Sequence, residues 1–227
     1  LVWVVCRFPE TLPEDKRRTP RRDPLTRRFF GFLRADHADT RRVIRIYFLL
    51  IFAFSGMEFT LTFLAVERFA YTPMQNGLMF VFIGLVLAVT QGGVVRRIAP
   101  RYGERRIAGI GLAVGAGAFV ALAFSGSSAA VFYAGLAAMA VAIAFASPTL
   151  QALVSLYTPD SEQGKTLGLQ RSAGSFARAA GPFVAAGLYF LVGSTGAYLT
   201  GAVLMILPLL LALRLPDPEK IHSTPQR

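Results

Sequence analysis

One ionisable side chain, Glu58, lies inside the run IYFLLIFAFSGMEFTLTFLAV from Ile46 to Val66. A carboxylate in such surroundings can load and release a proton, because an apolar environment disfavours its charged form. It can equally tie together a polar network inside a helix bundle, and residue type alone leaves both roles open. Helical spacing puts Phe54, Ser55, Glu58, Leu61 and Thr62 on one face, so two hydroxyls and an aromatic ring share the carboxylate's side. That face is expected to form a cavity wall, with Phe54 and Phe59 suited to a broad apolar substrate. Other polar residues in apolar runs are Thr90, Gln91, Ser147, Gln151, Gln170, Arg171, Ser175 and Arg178. Each could line the cavity or serve as packing glue. Arg171 and Arg178, two helical turns apart, read as anchors at a membrane boundary or as contacts for an anionic substrate.

The elements that must hold these residues are membrane-spanning helices. At about 1.5 Å rise per residue, Ile46 to Val66 is about 31 Å long, which matches the ~30 Å hydrocarbon core of a bilayer. Further spans are expected over Gly77–Val95, Ile107–Phe124, Ala129–Val154, Leu167–Val192 and Gly196–Leu213. A chain with 54% hydrophobic residues and a mean hydropathy of +0.50 has more apolar surface than a soluble globule of its size can hide. LVWVVC, residues 1–6, is too short to span and lacks a basic flank, so it reads as the end of a helix whose start is missing. The expected organisation is therefore residues 1–8 as a truncated helix end, 9–45 as a polar loop, 46–213 as a six-helix bundle and 214–227 as a tail. A surface helix is expected over Pro24–Ala35.

A net charge of +11 would suit nucleic acid, but only 16% of residues are charged and the basic ones fall between the apolar runs. Twelve of the 24 Lys and Arg lie before Ile46, and all but Arg68 of the others lie in alternate connections or the tail. The positive-inside rule then puts the opening loop, Arg96–Arg106, Lys165–Arg178 and the C-terminus in the cytoplasm. A multi-pass cell-membrane protein partnered by the lipid bilayer is expected, with no nucleic-acid partner.

Little else in the chain suggests chemistry. Cys6 is the lone cysteine and His37 and His222 are far apart, so neither a metal site nor a disulfide is expected. Gly164-Lys165-Thr166 ends like a nucleotide loop, but Pro159 stands where the pattern needs glycine. No cofactor and no catalytic motif are read, so an enzyme is not expected. Gly111 and Gly115, and Ala177, Gly181 and Ala185, repeat at the spacing that lets helix backbones approach closely, and they read as packing faces.

The stretch Gln91-Gly92-Gly93-Val94-Val95-Arg96-Arg97-Ile98-Ala99-Pro100-Arg101-Tyr102-Gly103-Glu104-Arg105-Arg106 turns at Gly103 among arginines, which can latch onto carboxylates and helix C-termini. It resembles the loop between the eighth and ninth helices of the major facilitator superfamily. Gly93, Arg96, Arg97, Arg101, Gly103, Arg105 and Arg106 carry the likeness. Arg97 stands where that family's signature has aspartate, and the interval to Gly103 is longer. Phe8-Pro9-Glu10-Thr11-Leu12-Pro13, Phe54 to Leu61, and Ser161 through Pro182 resemble stretches of the tetracycline-transporter-like group.

The resemblance implies an all-α membrane fold, the six-helix half of a twelve-helix transporter preceded by the end of its sixth helix. It also implies an absent N-terminal half as partner, a small-molecule substrate held between the halves, and alternating access by rocking. Proton-coupled efflux of small amphipathic molecules is the expected activity, with Glu58 carrying the proton. Uptake or exchange of an organic anion or other solute, a membrane scaffold without transport, and a nonfunctional gene fragment are the alternatives.

Overall fold

The computed structural model describes residues 37–216, all as helices and short connections with no strand among them. The expected truncated helix end, the Pro24–Ala35 helix and most of the loop and tail lie outside the described residues.

Helix α1 runs Ala38–Phe69, longer than a bilayer is thick, so its Ala38–Arg45 end extends beyond the Ile46 boundary. Helix α2 (Pro73–Val89) starts with proline in its first turn, and Thr72 and Gln75 cap each other reciprocally. It passes through a π-helical turn, Thr90–Val95, into the short α3 (Arg96–Tyr102). The second span is thus prolonged through most of the connection expected after Val95. Gly103, at φ 76°, then turns the chain into α4 (Glu104–Ala123). Helix α5 covers Ala129–Leu156, capped by Ser128, and a 3-10 turn at Asp160–Glu162 leads into α6 (Gln163–Leu213).

Helix α6 holds 51 residues, roughly 77 Å if straight and far more than one bilayer crossing. Gly193 breaks it at φ 79°, ψ 167°, a conformation that L side chains adopt only with strain. The two arms fold back on each other. Along the first, Gly174 lies against Tyr47, Gly181 against Phe52 and Gly56, and Tyr189 bonds Glu67, so this arm runs parallel to α1. Along the second, Thr195 meets Arg68, Tyr198 meets Thr60, and Arg214 offers its carbonyl to Arg42, so the chain returns. Among the described residues, five helices are long and apolar enough to cross a membrane. The last crosses twice, giving the six passages expected from hydropathy.

In hydrocarbon no hydrophobic force draws helices together, so contact surfaces and small residues must do it. A Cβ at Gly181 would sit 2.6 Å from the Phe52 carbonyl oxygen, so α1 and the first arm of α6 touch backbone to backbone there. Gly111 brings α4 equally close to α5, against the Ala142 carbonyl and Ala146 nitrogen. Both small-residue repeats read from the sequence are packing faces. Helix α2 is different, since only Asn76 and Met79 along it are buried.

Candidate functional site: charges at mid-span and the clefts around them

Glu58 lies in a narrow cleft where α1, α2 and α5 meet, beside Phe54, Met57, Leu61, Phe80, Ile83, Leu136 and Met139. The space is about 20 Å³, enough for about one water and too small for an organic solute. Its carboxylate is on the exposed side of α1 and has no ion-pair partner among the described residues. Within this bundle the cleft does not enclose a substrate.

The face drawn around Glu58 is only partly assembled. Phe54 and Leu61 join it. Ser55 does not, because its hydroxyl is buried at the α1–α6 crossing and donates to the Phe52 and Ala177 carbonyls, both at 3.3 Å. Thr62 is half-buried outside the cleft. Gln91 is exposed on the π-helical turn and Thr90 is buried. Gln151 donates to Ser147 along α5 at 3.4 Å. Gln170 is 1% exposed, in the core and outside the Glu58 cleft, and its Nε2 has no partner among the described residues. Arg171 is exposed on the first arm of α6.

Arg178 lies deeper than a boundary anchor. Its neighbour Ala177 accepts the Ser55 hydroxyl, so Arg178 sits at the depth of Ser55, three residues from Glu58. That offset is about 4.5 Å along α1. Arg178 is exposed on this bundle and has no ion-pair partner among the described residues. A carboxylate and a guanidinium thus stand near mid-span on different helices, unpaired with each other.

A larger apolar cavity of about 240 Å³ lies between α1, α4 and both arms of α6, lined by Phe52, Gly56, Phe119, Gly181, Tyr198 and Gly201 among others. Sequence reasoning found no sign of it beyond the small residues. It also passed over Glu67 and Arg68. The Glu67 carboxylate accepts from Tyr189 and, at 2.7 Å, from Ser194, one on each side of the Gly193 break. Arg68 donates to the Leu122 and Ala123 carbonyls at 2.7 and 3.0 Å and to the Ser125 hydroxyl at 2.6 Å, closing the C-terminus of α4. Arg68 was visible as the one basic residue away from the basic segments, which is the signal that could have singled it out.

At the opposite end the arginine-rich motif is spread over three elements. Gly93 lies in the π-helical turn, Arg96, Arg97 and Arg101 on α3, Gly103 at the turn, and Arg105 and Arg106 at the start of α4. Arg105 donates to the Leu213 carbonyl at 2.9 Å, so the motif latches a helix C-terminus as its composition suggested. Arg42 and Tyr157 take the Arg214 and Pro216 carbonyls at 3.1 and 2.6 Å.

A family model described as Major Facilitator Superfamily matches residues 93–227. The chain belongs to the major facilitator superfamily. Among major facilitator proteins, human "Major facilitator superfamily domain-containing protein 10" is 36% identical over 238 residues, spanning 97% of this chain and 52% of that protein. The mouse protein of the same name is 34% identical with the same coverage. "Tetracycline resistance protein, class B" of Escherichia coli is 31% identical over 123 residues, 54% of this chain and 30% of that protein. The crystal structure of the human organic anion transporter MFSD10 (TETRAN) superposes with a TM-score of 0.80 and 34% identity, covering 93% of this chain and 53% of that one. The chain thus spans about half the length of the curated relatives it matches, and its fold is the six-helix half of a twelve-helix major facilitator fold.

Proposed function

We propose that this chain supplies the C-terminal half of a proton-coupled secondary active transporter that exports small amphipathic molecules, organic anions among them. The observation that carries the reading is the mid-span placement of Glu58 and Arg178. Charges near mid-membrane are costly and mark ion or substrate pathways by default. Glu58, at the edge of an apolar cleft and exposed on this bundle, is the group proposed to carry the proton between the two sides. Arg178, at nearly the same depth, offers a guanidinium fork to a carboxylate or sulfonate. Rocking of one six-helix half against the other would present both groups alternately to the two sides. The name of the solved relative, an organic anion transporter, supports this substrate class. The shorter likeness to a tetracycline resistance protein supports membership of the tetracycline-transporter-like group.

The second reading is exchange or uptake of an organic anion without proton coupling, favoured by Arg178 alone. Efflux of a fluorescent organic anion from vesicles carrying the full-length protein separates the two. Under proton antiport, Glu58→Gln abolishes the response to an imposed pH gradient and keeps dye binding, while Arg178→Gln weakens binding of the anion. Gradient-driven efflux at the wild-type rate in Glu58→Gln removes the carboxylate from the mechanism. Anion exchange that ignores pH in both wild type and variant selects the second reading.

A further inference from the structure

At the end of the bundle that carries the basic connections, α4 and the second arm of α6 part to leave a cleft of about 550 Å³. That volume is within the ~300–1,000 Å³ of small-molecule sites. Arg105 and Arg106 line one end of it, and the rest is Gly109, Ile110 and Ala113 from α4 with Leu209, Ala212 and Leu213 from α6. From Arg106 to Ala113 is seven residues of one helix, about 10 Å of depth. Over that distance the lining changes from two guanidiniums to hydrocarbon, and none of the described residues lining it carries a carboxylate. Gly109 leaves the floor open, since a Cβ there would meet nothing within 4 Å.

This profile matches a ligand with an anionic head at the membrane surface and an apolar tail running down beside the helices, as a lipid in a leaflet has. We propose that the cleft binds one anionic phospholipid from the leaflet on the basic side, its phosphodiester on Arg105 and Arg106 and an acyl chain along Gly109 and Ala113. Arginine forks suit phosphate oxygens, and basic pockets between membrane helices recruit anionic headgroups. Arg105 donates to the Leu213 carbonyl, and Arg106 stands beside it on the same turn of α4. The bound lipid would therefore bridge the same two elements, the start of α4 and the end of α6, that this hydrogen bond already joins. Charge complementarity at the mouth and hydrocarbon depth beneath it together select a lipid over a soluble anion.

Native mass spectrometry of the detergent-purified protein with equimolar dioleoylphosphatidylglycerol and dioleoylphosphatidylcholine tests this. The wild type should retain the glycerol lipid preferentially. Arg105→Gln/Arg106→Gln should lower that retention roughly fivefold per arginine removed. Ala113→Phe, which fills the groove and changes no charge, should lose the lipid as well. The control pair Arg96→Gln/Arg97→Gln removes equal charge from α3 and should bind as the wild type does, with circular dichroism confirming helix content throughout. An excess of glycerophosphate should not displace the lipid. Retention by Ala113→Phe, or an equal loss in the control pair, reduces the effect to diffuse surface charge and overturns the proposal. Displacement by glycerophosphate overturns it in favour of a bare anion site.

Discussion

Glu67 and Arg68 are adjacent opposite charges that serve different helices. Glu67 holds the two sides of the Gly193 break through Tyr189 and Ser194, while Arg68 closes α4 and also reaches Thr195. Replacing Arg68 by Ala should leave the last carbonyls of α4 without their charged donor at a cost of roughly 2 kcal/mol, read as a lowered Tm of the purified protein. Arg68→Lys should recover only part of this, because an ammonium cannot fork across Leu122, Ala123 and Ser125 together. An unchanged Tm in Arg68→Ala would show that water satisfies those carbonyls as well. Glu58 was legible in the sequence because a lone carboxylate in an apolar run is conspicuous. Glu67 was not, since charge at the end of a span is ordinary, and Arg68 was marked only by standing apart from the basic segments. Ser55 shows a different limit: spacing fixes which way a side chain leaves its helix but not which neighbour waits there.

Among elements, α6 departs most from its hydropathy pattern. Two apolar runs were plain, and the Gly193–Gly196 interval between them reads as a loop; the chain instead reverses at a single residue and both arms stay helical. No composition signal separates those outcomes, because the decision rests on one φ value that glycine alone allows cheaply. Gly193→Val should therefore cost about 1–3 kcal/mol and loosen the grip of Glu67 on Tyr189 and Ser194. Hydrogen exchange should rise around 189–198 in that variant, and unaltered protection there would refute the account. Gly181→Leu should act at a distance from the break, forcing α1 and α6 apart where Gly56 and Phe52 leave no room. Its expected signature is a lowered Tm with the 189–198 region still protected. The small-residue repeats made this crossing legible in advance, although which helix received each repeat was not.

At the scale of the molecule, the uneven burial of α2 is the informative feature. Its span is almost wholly apolar, yet only 17% of its most apolar stretch is buried. Met74, Leu78, Val81, Leu85 and Val89 all face outward. Lipid can cover such a face, and so can a second six-helix half. Co-expression with an N-terminal half from a relative should give a co-purifying complex, and cysteine pairs placed on α2 and that half should cross-link. If α2 cross-links only to lipid probes, the face belongs to the bilayer.

The alternation of basic and neutral connections also divides the molecule's exposure to its surroundings. On the Arg68 end the described connections are Ala70–Thr72, Phe124–Ser128 and the reversal at Gly193, so nearly all chain there is helix. A protease or an antibody that reaches that end of the bundle has almost nothing to grip, so purified protein in vesicles should resist both from that side. Surface digestion would then report on the bundle only if a longer segment were first inserted at Gly126, where a glycine at φ 51° already turns the chain and a Cβ would meet nothing within 4 Å.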